Sequence, residues 1–306
     1  ISLSESHQKL QSIFDPVMKN CAGLEGAARY LNQSQENQKT KLVELKKVAS
    51  VADAATELGR YEFSGDKIFK TRQALLDVCR RSTVARGHVS TAEASLRSSA
   101  NLIAVQASMN IILLESLLPE MRNRKNQPGK IWEDGRDQVH TAWVTLRDFY
   151  RMKILVTDLV NVGSVLGSTS KMFELERLRK GYWIKISALE KDARGLKTFF
   201  DSTERGSEHK NLMALVDQTR ATSHTSTNSL FNAQARLLEN ERTKQSLVVR
   251  LQREQGQFSV ALLNIMDVAQ RINRNAQLRT EHQATVANWE IATGVFICAL
   301  LALLIG

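Results

Sequence analysis

Two Arg-Tyr pairs are the residues of this sequence with the clearest capacity for recognition chemistry. They are Arg29-Tyr30 and Arg60-Tyr61. An arginine held between the helices of a bundle presents a planar fork of N–H donors, which can bind a carboxylate through two parallel hydrogen bonds. We therefore predict that these four residues bind a ligand. The alternative is that each arginine lies on the surface and forms local ion pairs.

Patterns that support catalysis or metal binding are absent from the sequence. A glycine-rich phosphate loop is missing, and so is the Gly-x-Ser-x-Gly motif. The three cysteines form no Cys-x-x-Cys motif, although Cys21 and Cys79 could pair in an oxidising compartment. The six histidines are scattered without an i, i+4 pair: His7, His88, His140, His209, His224 and His282. We expect no enzyme activity, no catalytic residue, no cofactor and no metal.

Glycine and proline are scarce, and this limits the folds that the chain can adopt. The chain has 15 glycines and 3 prolines in 306 residues, about 6% together, whereas average usage gives about 12%. Because turns depend on these residues, the chain must have few turns and long elements. Sandwiches, barrels and doubly wound sheets are excluded. We predict an all-α fold of long antiparallel helices in two stacked helical bundles, since roughly 290 residues exceed one four-helix bundle.

The C-terminal segment carries the strongest local signal. Residues 291–306 hold no charge, and Trp289 precedes them, where interfacial aromatic residues are common. We predict a transmembrane helix at 289–306, although the run is slightly shorter than the ~20 residues that span a bilayer. We expect the apolar run to continue beyond Gly306 in a longer membrane protein. A buried core helix is the alternative.

The remaining residues, 1–288, are predicted to form the helical-bundle region. We place a loop near 119–135 and a turn near 201–210, and we expect a helix to end at residues 59–66. Residues 102–118 are also markedly apolar, but Gln106, Asn110 and Glu115 interrupt them. We therefore predict that this stretch belongs to the core and not to a membrane.

A sevenfold repeat of apolar residues runs along the last predicted helix. Its first row is Leu230, Leu237, Leu251, Phe258, Ile265 and Ile272, with Lys244 as the one interruption. Its second row, four residues after the first, is Val248, Leu262, Ala269 and Ala276. This pattern predicts the seam of a bundle or coiled coil. Because no proline follows, we expect one continuous helix to carry a displacement from the bundle into the membrane segment.

The net charge of +10 does not identify a nucleic-acid partner. The 42 lysines and arginines are interleaved with 32 aspartates and glutamates. Basic clusters lack the recognition helices, stacking platforms or zinc ligands that would accompany nucleic-acid binding. Solvated helix faces explain these charges, and we expect no nucleic acid to bind.

Long proline-poor helices, a heptad seam and a terminal apolar helix resemble the sensor regions of bacterial chemoreceptors and sensor histidine kinases, of the helical bimodular or TorS type. Residues 59–66 (GRYEFSGD) are similar to a short sequence motif that is frequent at helix ends in such receptors. The resemblance implies a periplasmic helical region between two membrane helices. It also implies a homodimer that responds to a small-molecule ligand or a periplasmic partner protein.

We therefore expect the extracytoplasmic sensing and signal-transmitting region of a single-pass or two-pass cell-membrane receptor, in signal transduction such as chemotaxis. Ligand or partner binding would be relayed through the C-terminal helix into the membrane. The first alternative is a membrane-anchored coiled-coil scaffold or tether that faces the cytosol. The second is an α-helical pore-forming protein, with residues 102–118 as a concealed insertion segment.

Overall fold

The computed structural model describes residues 3–48, 52–124 and 132–305, and it confirms the all-α prediction. Every regular element in these ranges is helical. The elements are α1 (Leu3–Asn20), α2 (Leu24–Val48), α3 (Ala52–Arg124), α4 (Trp132–Leu166), α5 (Met172–Gly195), α6 (Lys197–Ser202), α7 (Gly206–Arg220) and α8 (Leu230–Ile305). A single π-helical turn, Ala221–Thr225, follows α7.

The chain divides into two compact units, in agreement with the prediction of two bundles. We call residues 1–77 and 244–306 the terminal unit, and residues 78–243 the central unit. Helices α3 and α8 contribute residues to both units.

In the terminal unit, α1, α2, α3 and α8 pack around a small core. The guanidinium of Arg72 lies 5.2 Å from the Phe14 ring, so α3 contacts α1. The Tyr61 ring on α3 lies 4.7 Å from the Phe258 ring on α8. A second contact joins the same pair of helices, because the Asn264 side-chain amide donates a hydrogen bond of 3.2 Å to a Glu57 carboxylate oxygen.

In the central unit, α4, α5 and α7 pack with α3 around a continuous apolar core. The Phe149 ring meets the rings of Phe199 and Phe200 edge-on, at 5.7 and 6.1 Å. Gly163 lets α4 approach α3 closely, since a Cβ at this position would lie 2.9 Å from the Leu96 side chain. These contacts bury the apolar faces that the sequence distributes along each helix.

Helix α3 continues through residues 59–66, so the helix end expected there is wrong. A glycine inside a helix costs only about 1 kcal/mol, and burial of Tyr61 in this stretch and of Ile68 just after it outweighs that cost. Gly65 also serves packing between helices, because a Cβ at this position would lie 2.6 Å from Nε2 of Gln38 on α2.

Both predicted connections are shorter in the structure than in the sequence-based prediction. Helix α3 runs through Pro119 to Arg124, and α4 begins at Trp132. Residues 125–131 lie outside the described part of the chain. The turn expected near 201–210 is confined to residues 203–205, between α6 and α7. Residues 206–210, predicted as part of the turn, begin α7, which buries Leu212, Val216 and Thr219 on one face.

Helix α8 is continuous to Ile305 and carries a sevenfold buried row at Lys244, Leu251 and Phe258. Its second buried row lies three residues after the first and not four. This row is Glu254, Ala261 and Val268. The predicted second-row residues Ala269 and Ala276 are exposed, as are all residues from 269 to 288.

One described segment, Ala54–Pro119 of α3, is long and apolar enough to cross a membrane, judged by length and composition alone. Its most apolar window is only 28% buried. The stretch 102–118 thus places only one face in the core, with Ile103, Ala107 and Leu114 buried. The predicted membrane segment 289–306 is helical through Ile305, and most of its side chains lie outside the described residues.

Cys21 and Cys79 are disulfide-bonded. Cys21 directly follows α1 and has a left-handed backbone (φ 58°), and Gly23 shares this conformation (φ 70°). Left-handed residues commonly end helices because they free the chain to turn. The three-residue link between α1 and α2 follows from this geometry.

Candidate functional site

The terminal unit contains a cavity of about 280 Å³ that is open to solvent and is lined by residues from all four of its helices. Its walls combine positive charge, aromatic rings and side-chain amides. The residues that define its chemistry are Lys9 of α1, Tyr30 and Gln38 of α2, Tyr61 and Arg72 of α3, and Phe258 of α8.

Helix α2 supplies most of the polar wall. Residues 33–38 read Gln-Ser-Gln-Glu-Asn-Gln, and every one of these except Glu36 lines the cavity. Glu36 is exposed instead. The helical period therefore turns amides and a hydroxyl toward the cavity and the single carboxylate toward solvent. None of the described residues that line the cavity is acidic.

Arg72 is the most unusual group in the cavity wall. It is 3% exposed, and its Nε and Nη2 atoms have no hydrogen-bond partner within the described part of the chain. Burial lowers the pKa of Arg72 to about 10, so the guanidinium remains charged at neutral pH. The Phe14 ring compensates this charge only in part, because the favourable energy of a cation over a ring is about 1–2 kcal/mol.

Tyr61 connects the cavity to α8. Its side chain is buried, and burial raises the pKa of its hydroxyl, partly offset by a hydrogen bond with the Gln38 side chain. Its ring packs against Phe258, which also lines the cavity. Whatever occupies the cavity therefore contacts residues that set the packing of α3 on α8.

Two further cations border the same space. The Lys9 ammonium lies over the Tyr30 ring, 5.6 Å from its centroid. Lys41 on α2 also lines the cavity. Together with Arg72, these residues place three cationic side chains in the cavity lining.

The structure brings the two predicted tyrosines together and leaves the two predicted arginines outside. Tyr30 and Tyr61 both line the cavity. Arg29 is exposed, and Arg60 forms a 2.6 Å ion pair with Glu57 while its side chain is 65% exposed. Neighbouring residues on a helix point about 100° apart, so one member of each pair faces inward. The ligand-binding role of all four residues stays a prediction.

Sequence reasoning missed Arg72, although a signal was present. The inward face of α3 carries Tyr61, Ile68, Leu75 and Cys79, all buried. Arg72 follows Ile68 by four residues and precedes Leu75 by three, the spacing that places a residue on the same helix face. A charged residue inside an apolar stripe is the pattern that would have predicted a buried cation.

The central unit contains a second unusual cluster, around His224 in the π-helical turn. The His224 ring lies 4.8 Å from Phe231, 5.2 Å from Trp183 and 5.5 Å from Tyr182, measured between ring centroids. Burial, followed by the nearby charge of Arg179, lowers the pKa of His224. The imidazole packs as one ring of this aromatic cluster.

Metal coordination finds no support in the described ranges. Among residues 3–48, 52–124 and 132–305, no group of three His, Cys, Asp or Glu side chains could hold a metal ion.

Comparisons with known proteins identify a fold and not a family. No protein-family model matches the sequence, and no match is found among curated proteins. One similar solved structure is the crystal structure of the TorS sensor domain–TorT complex in the presence of TMAO. The TM-score is 0.59 at 12% sequence identity, and the match covers 87% of this chain and 97% of that chain. The likeness to a TorS-type sensor region is thus confirmed at the level of the fold.

Proposed function

We propose that this chain is the sensing and signal-transmitting region of a membrane receptor, with its helical part outside the cytoplasm. The observation that carries the proposal is the fold shared with the TorS sensor domain over 87% of the chain. That domain was crystallised with TorT in the presence of TMAO. By analogy, the input to this chain is a small-molecule ligand or a periplasmic partner protein.

Helix α8 is the output element of the proposed receptor. It contacts α3 through Phe258 and Asn264 and continues without a break to Ile305. A helix rises 1.5 Å per residue and is stiff along its axis, so a shift at Phe258 is carried toward the membrane segment. A ligand drives this shift only through different affinities for the two arrangements of the helices.

The disulfide supports the proposal that the helical part lies outside the cytoplasm. Cys21 and Cys79 are disulfide-bonded, and structural disulfides persist in oxidising compartments such as the periplasm. A cytosolic tether would keep both thiols reduced.

The exposed part of α8 supports a homodimer. Residues 269–288 are exposed in the single chain, and they include the apolar side chains of Ile272, Leu278 and Val286. A parallel second copy would cover Ile272 and Val286, which lie two heptads apart on one helix face, in a short coiled coil that leads toward the membrane segment.

An insertion experiment tests the relay. Residues 1–306 are joined to the cytoplasmic transmitter of a receptor kinase with a transcriptional reporter. One alanine inserted after Arg279 rotates the following part of α8 by about 100° and is expected to change reporter output severalfold. The matched control is one alanine inserted after Glu204, in the turn between α6 and α7. Unchanged output from the α8 insertion would contradict the relay and favour a tether.

A pore-forming protein is the second candidate, because α3 carries an exposed apolar face. Leu102, Val105, Met109 and Ile112 are more than half exposed, and they recur at helical spacing. The test is dye release from lipid vesicles by the full chain, with Met109→Lys as the variant that would abolish insertion. Release that depends on Met109 would favour the pore and contradict the sensor.

A further inference from the structure

We propose that the π-helical turn Ala221–Thr225 is a pH-sensitive switch in the central unit. Protonation of the His224 imidazole moves the ring out of its aromatic cluster into solvent, and the turn that leads into α8 opens with it. The inference goes beyond the proposed function and does not depend on it, because every residue involved belongs to the central unit.

The first argument is the position of the His224 ring at the edge of the core. Two of its neighbours, Tyr182 and Phe231, are fully buried, whereas the third, Trp183, is 41% exposed. Residues 225–228, which follow His224 along the chain, are all exposed. The ring can therefore reach water through a movement of the turn, and α5 need not move with it.

The second argument is the charge that faces the ring. Arg179 of α5 and Arg220 of α7 both act against a positive charge on His224, because like charges destabilise one another. The carboxylates beside these arginines are already engaged. Glu176 lies 3.7 Å from Arg179, and Glu190 accepts a hydrogen bond of 3.2 Å from Arg220. Helix α8 contributes the uncharged ring of Phe231.

The third argument is the state of the ring nitrogens. Both are buried, and neither has a partner at hydrogen-bond geometry in the part of the chain that the structure describes. An imidazolium carries an N–H group on each nitrogen, and a buried charge without partners is strongly destabilising. Burial and the charge of Arg179 accordingly lower the pKa of His224, and the opposing effect of the Arg179 backbone is smaller. Burial raises the pKa of the Tyr182 hydroxyl, so Tyr182 supplies no anion.

The fourth argument is the turn itself. A π-helix closes its hydrogen bonds over five residues, and single π-turns are rare and frequent at functional sites. Here the Ser226 amide donates to the Ala221 carbonyl at 3.2 Å, and the Asn232 side-chain amide donates to the Ser226 carbonyl at 3.0 Å. Because Ser226 is exposed, water can replace both bonds once the His224 ring has left the cluster.

The competing explanation is that a protonated His224 stays in place as a cation over the Trp183 and Tyr182 rings. Cation–π attraction favours this arrangement. However, the Arg220 guanidinium already lies 5.1 Å from the Trp183 ring centroid, so a second cation there meets repulsion. The two explanations predict opposite results. Expulsion places the pKa of His224 below the ordinary value of about 6.5, whereas retention places it above that value.

The test uses the full chain in detergent micelles. Hydrogen–deuterium exchange, corrected for the intrinsic effect of pH on exchange, is followed by mass spectrometry from about pH 7.5 to about pH 4.5, the range in which histidine titrates. NMR of ¹³C-labelled histidine gives the pKa of His224. We expect the amides of residues 222–229 to lose at least tenfold protection with a midpoint below about pH 6.5. We expect residues 182–189 of α5 to keep their protection.

Three variants make the test decisive. His224→Phe retains an aromatic ring that cannot be protonated, and we expect no opening in acid. His140→Phe is the matched control, because His140 is an exposed histidine of the same unit, and it should open as the wild type does. Arg179→Met removes one of the two opposing cations, so the turn should open at a higher pH than in the wild type.

Four results would overturn the inference. In the wild type, residues 222–229 keep their protection throughout the range, or all helices lose protection at the same pH through global unfolding, or the pKa of His224 lies above about 6.5. In the variants, the opening persists in His224→Phe or occurs in Arg179→Met at the same or a lower pH than in the wild type.

Discussion

The two units differ in whether a buried charged side chain has an oppositely charged neighbour. In the central unit, the buried Asp192 carboxylate has the Arg151 guanidinium at 3.2 Å, and Glu190 accepts a hydrogen bond of 3.2 Å from Arg220. In the terminal unit, the guanidinium of Arg72 is buried without a carboxylate among the described residues around it. In the central unit these carboxylates therefore have a cation nearby, whereas in the terminal unit no described carboxylate lies beside the buried Arg72 guanidinium.

The difference accords with the proposed function. A core that pairs its charges and fills its volume has one stable packing. A cavity with an unbalanced cation has two states of different stability, empty and occupied, and only ligand can convert one into the other. This is the arrangement that a sensor requires, and it lies beside Phe258 on the proposed output helix.

The largest expected effect tests whether the central unit is a close-packed core. Phe149→Ala should reduce the free energy of unfolding by about 3–5 kcal/mol, because a fully buried ring leaves a cavity. The control is Phe173→Ala, whose ring is 65% exposed and whose loss should cost at most about 0.5 kcal/mol. Urea unfolding followed by circular dichroism measures both. Equal costs would mean that the central core is loosely packed.

The disulfide is expected to have a comparable effect. Loss of the Cys21–Cys79 link by Cys79→Ser should reduce stability by about 4 kcal/mol in the chain-entropy model. Thiol titration under denaturing conditions checks the bond directly. The chain has three cysteines, so protein recovered from the periplasm should show one free thiol. Three free thiols would remove the argument for an oxidising compartment.

A pair of variants tests whether the two units differ in the pairing of buried charges. We expect their effects on the free energy of unfolding to have opposite signs. Arg151→Met leaves Asp192 buried without its cation and should reduce stability by about 1–2 kcal/mol, a value discounted for solvent screening because the Arg151 side chain is 55% exposed. Arg72→Met should instead increase stability by about 1–3 kcal/mol. Chemical unfolding at pH 7 measures both changes. Changes of the same sign would remove the distinction between the two units.

The smallest expected effect is the change of stability with pH that comes from His224 in the central unit. The folded protein lowers the pKa of His224, whereas the unfolded chain keeps the ordinary value of about 6.5. Between the two pKa values His224 therefore carries a proton in the unfolded chain and none in the folded protein. The contribution of His224 to the free energy of unfolding is complete above pH 6.5 and is lost as the pH falls through the pKa of the folded protein. His224→Phe should flatten this dependence. The pH dependence of the urea midpoint measures the effect, and an unchanged slope would mean that another group titrates.

Several features of the fold could be predicted from the sequence because they depend on local chemistry. The scarcity of glycine and proline predicted long helices, and α3 and α8 extend over 73 and 76 residues. The sevenfold row through Leu251 and Phe258 was identified correctly, because a repeat of seven keeps side chains on one helix face. Tyr30 and Tyr61 were selected only as the neighbours of two arginines, and both line the cavity.

Other features depended on contacts between distant segments. The second buried row of α8 lies at Glu254, Ala261 and Val268, three residues after the first, and which side of a sevenfold row is covered depends on the helices that pack against it. Residues 59–66 remain helical because packing of Tyr61 and Gly65 outweighs their weak helix preference. No local pattern reports the strength of such packing.

The sequence alone determined that this protein is helical, with few turns and a seam along its last helix, because residue type and spacing fix the backbone period and the apolar face. Only the tertiary structure decided which charge lacks a partner. Arg72 comes from α3, whereas the amides beside it come from α2 and the ring of Phe258 comes from α8. Burial and pairing are properties of segments that meet in space, and the linear order of residues does not contain that information.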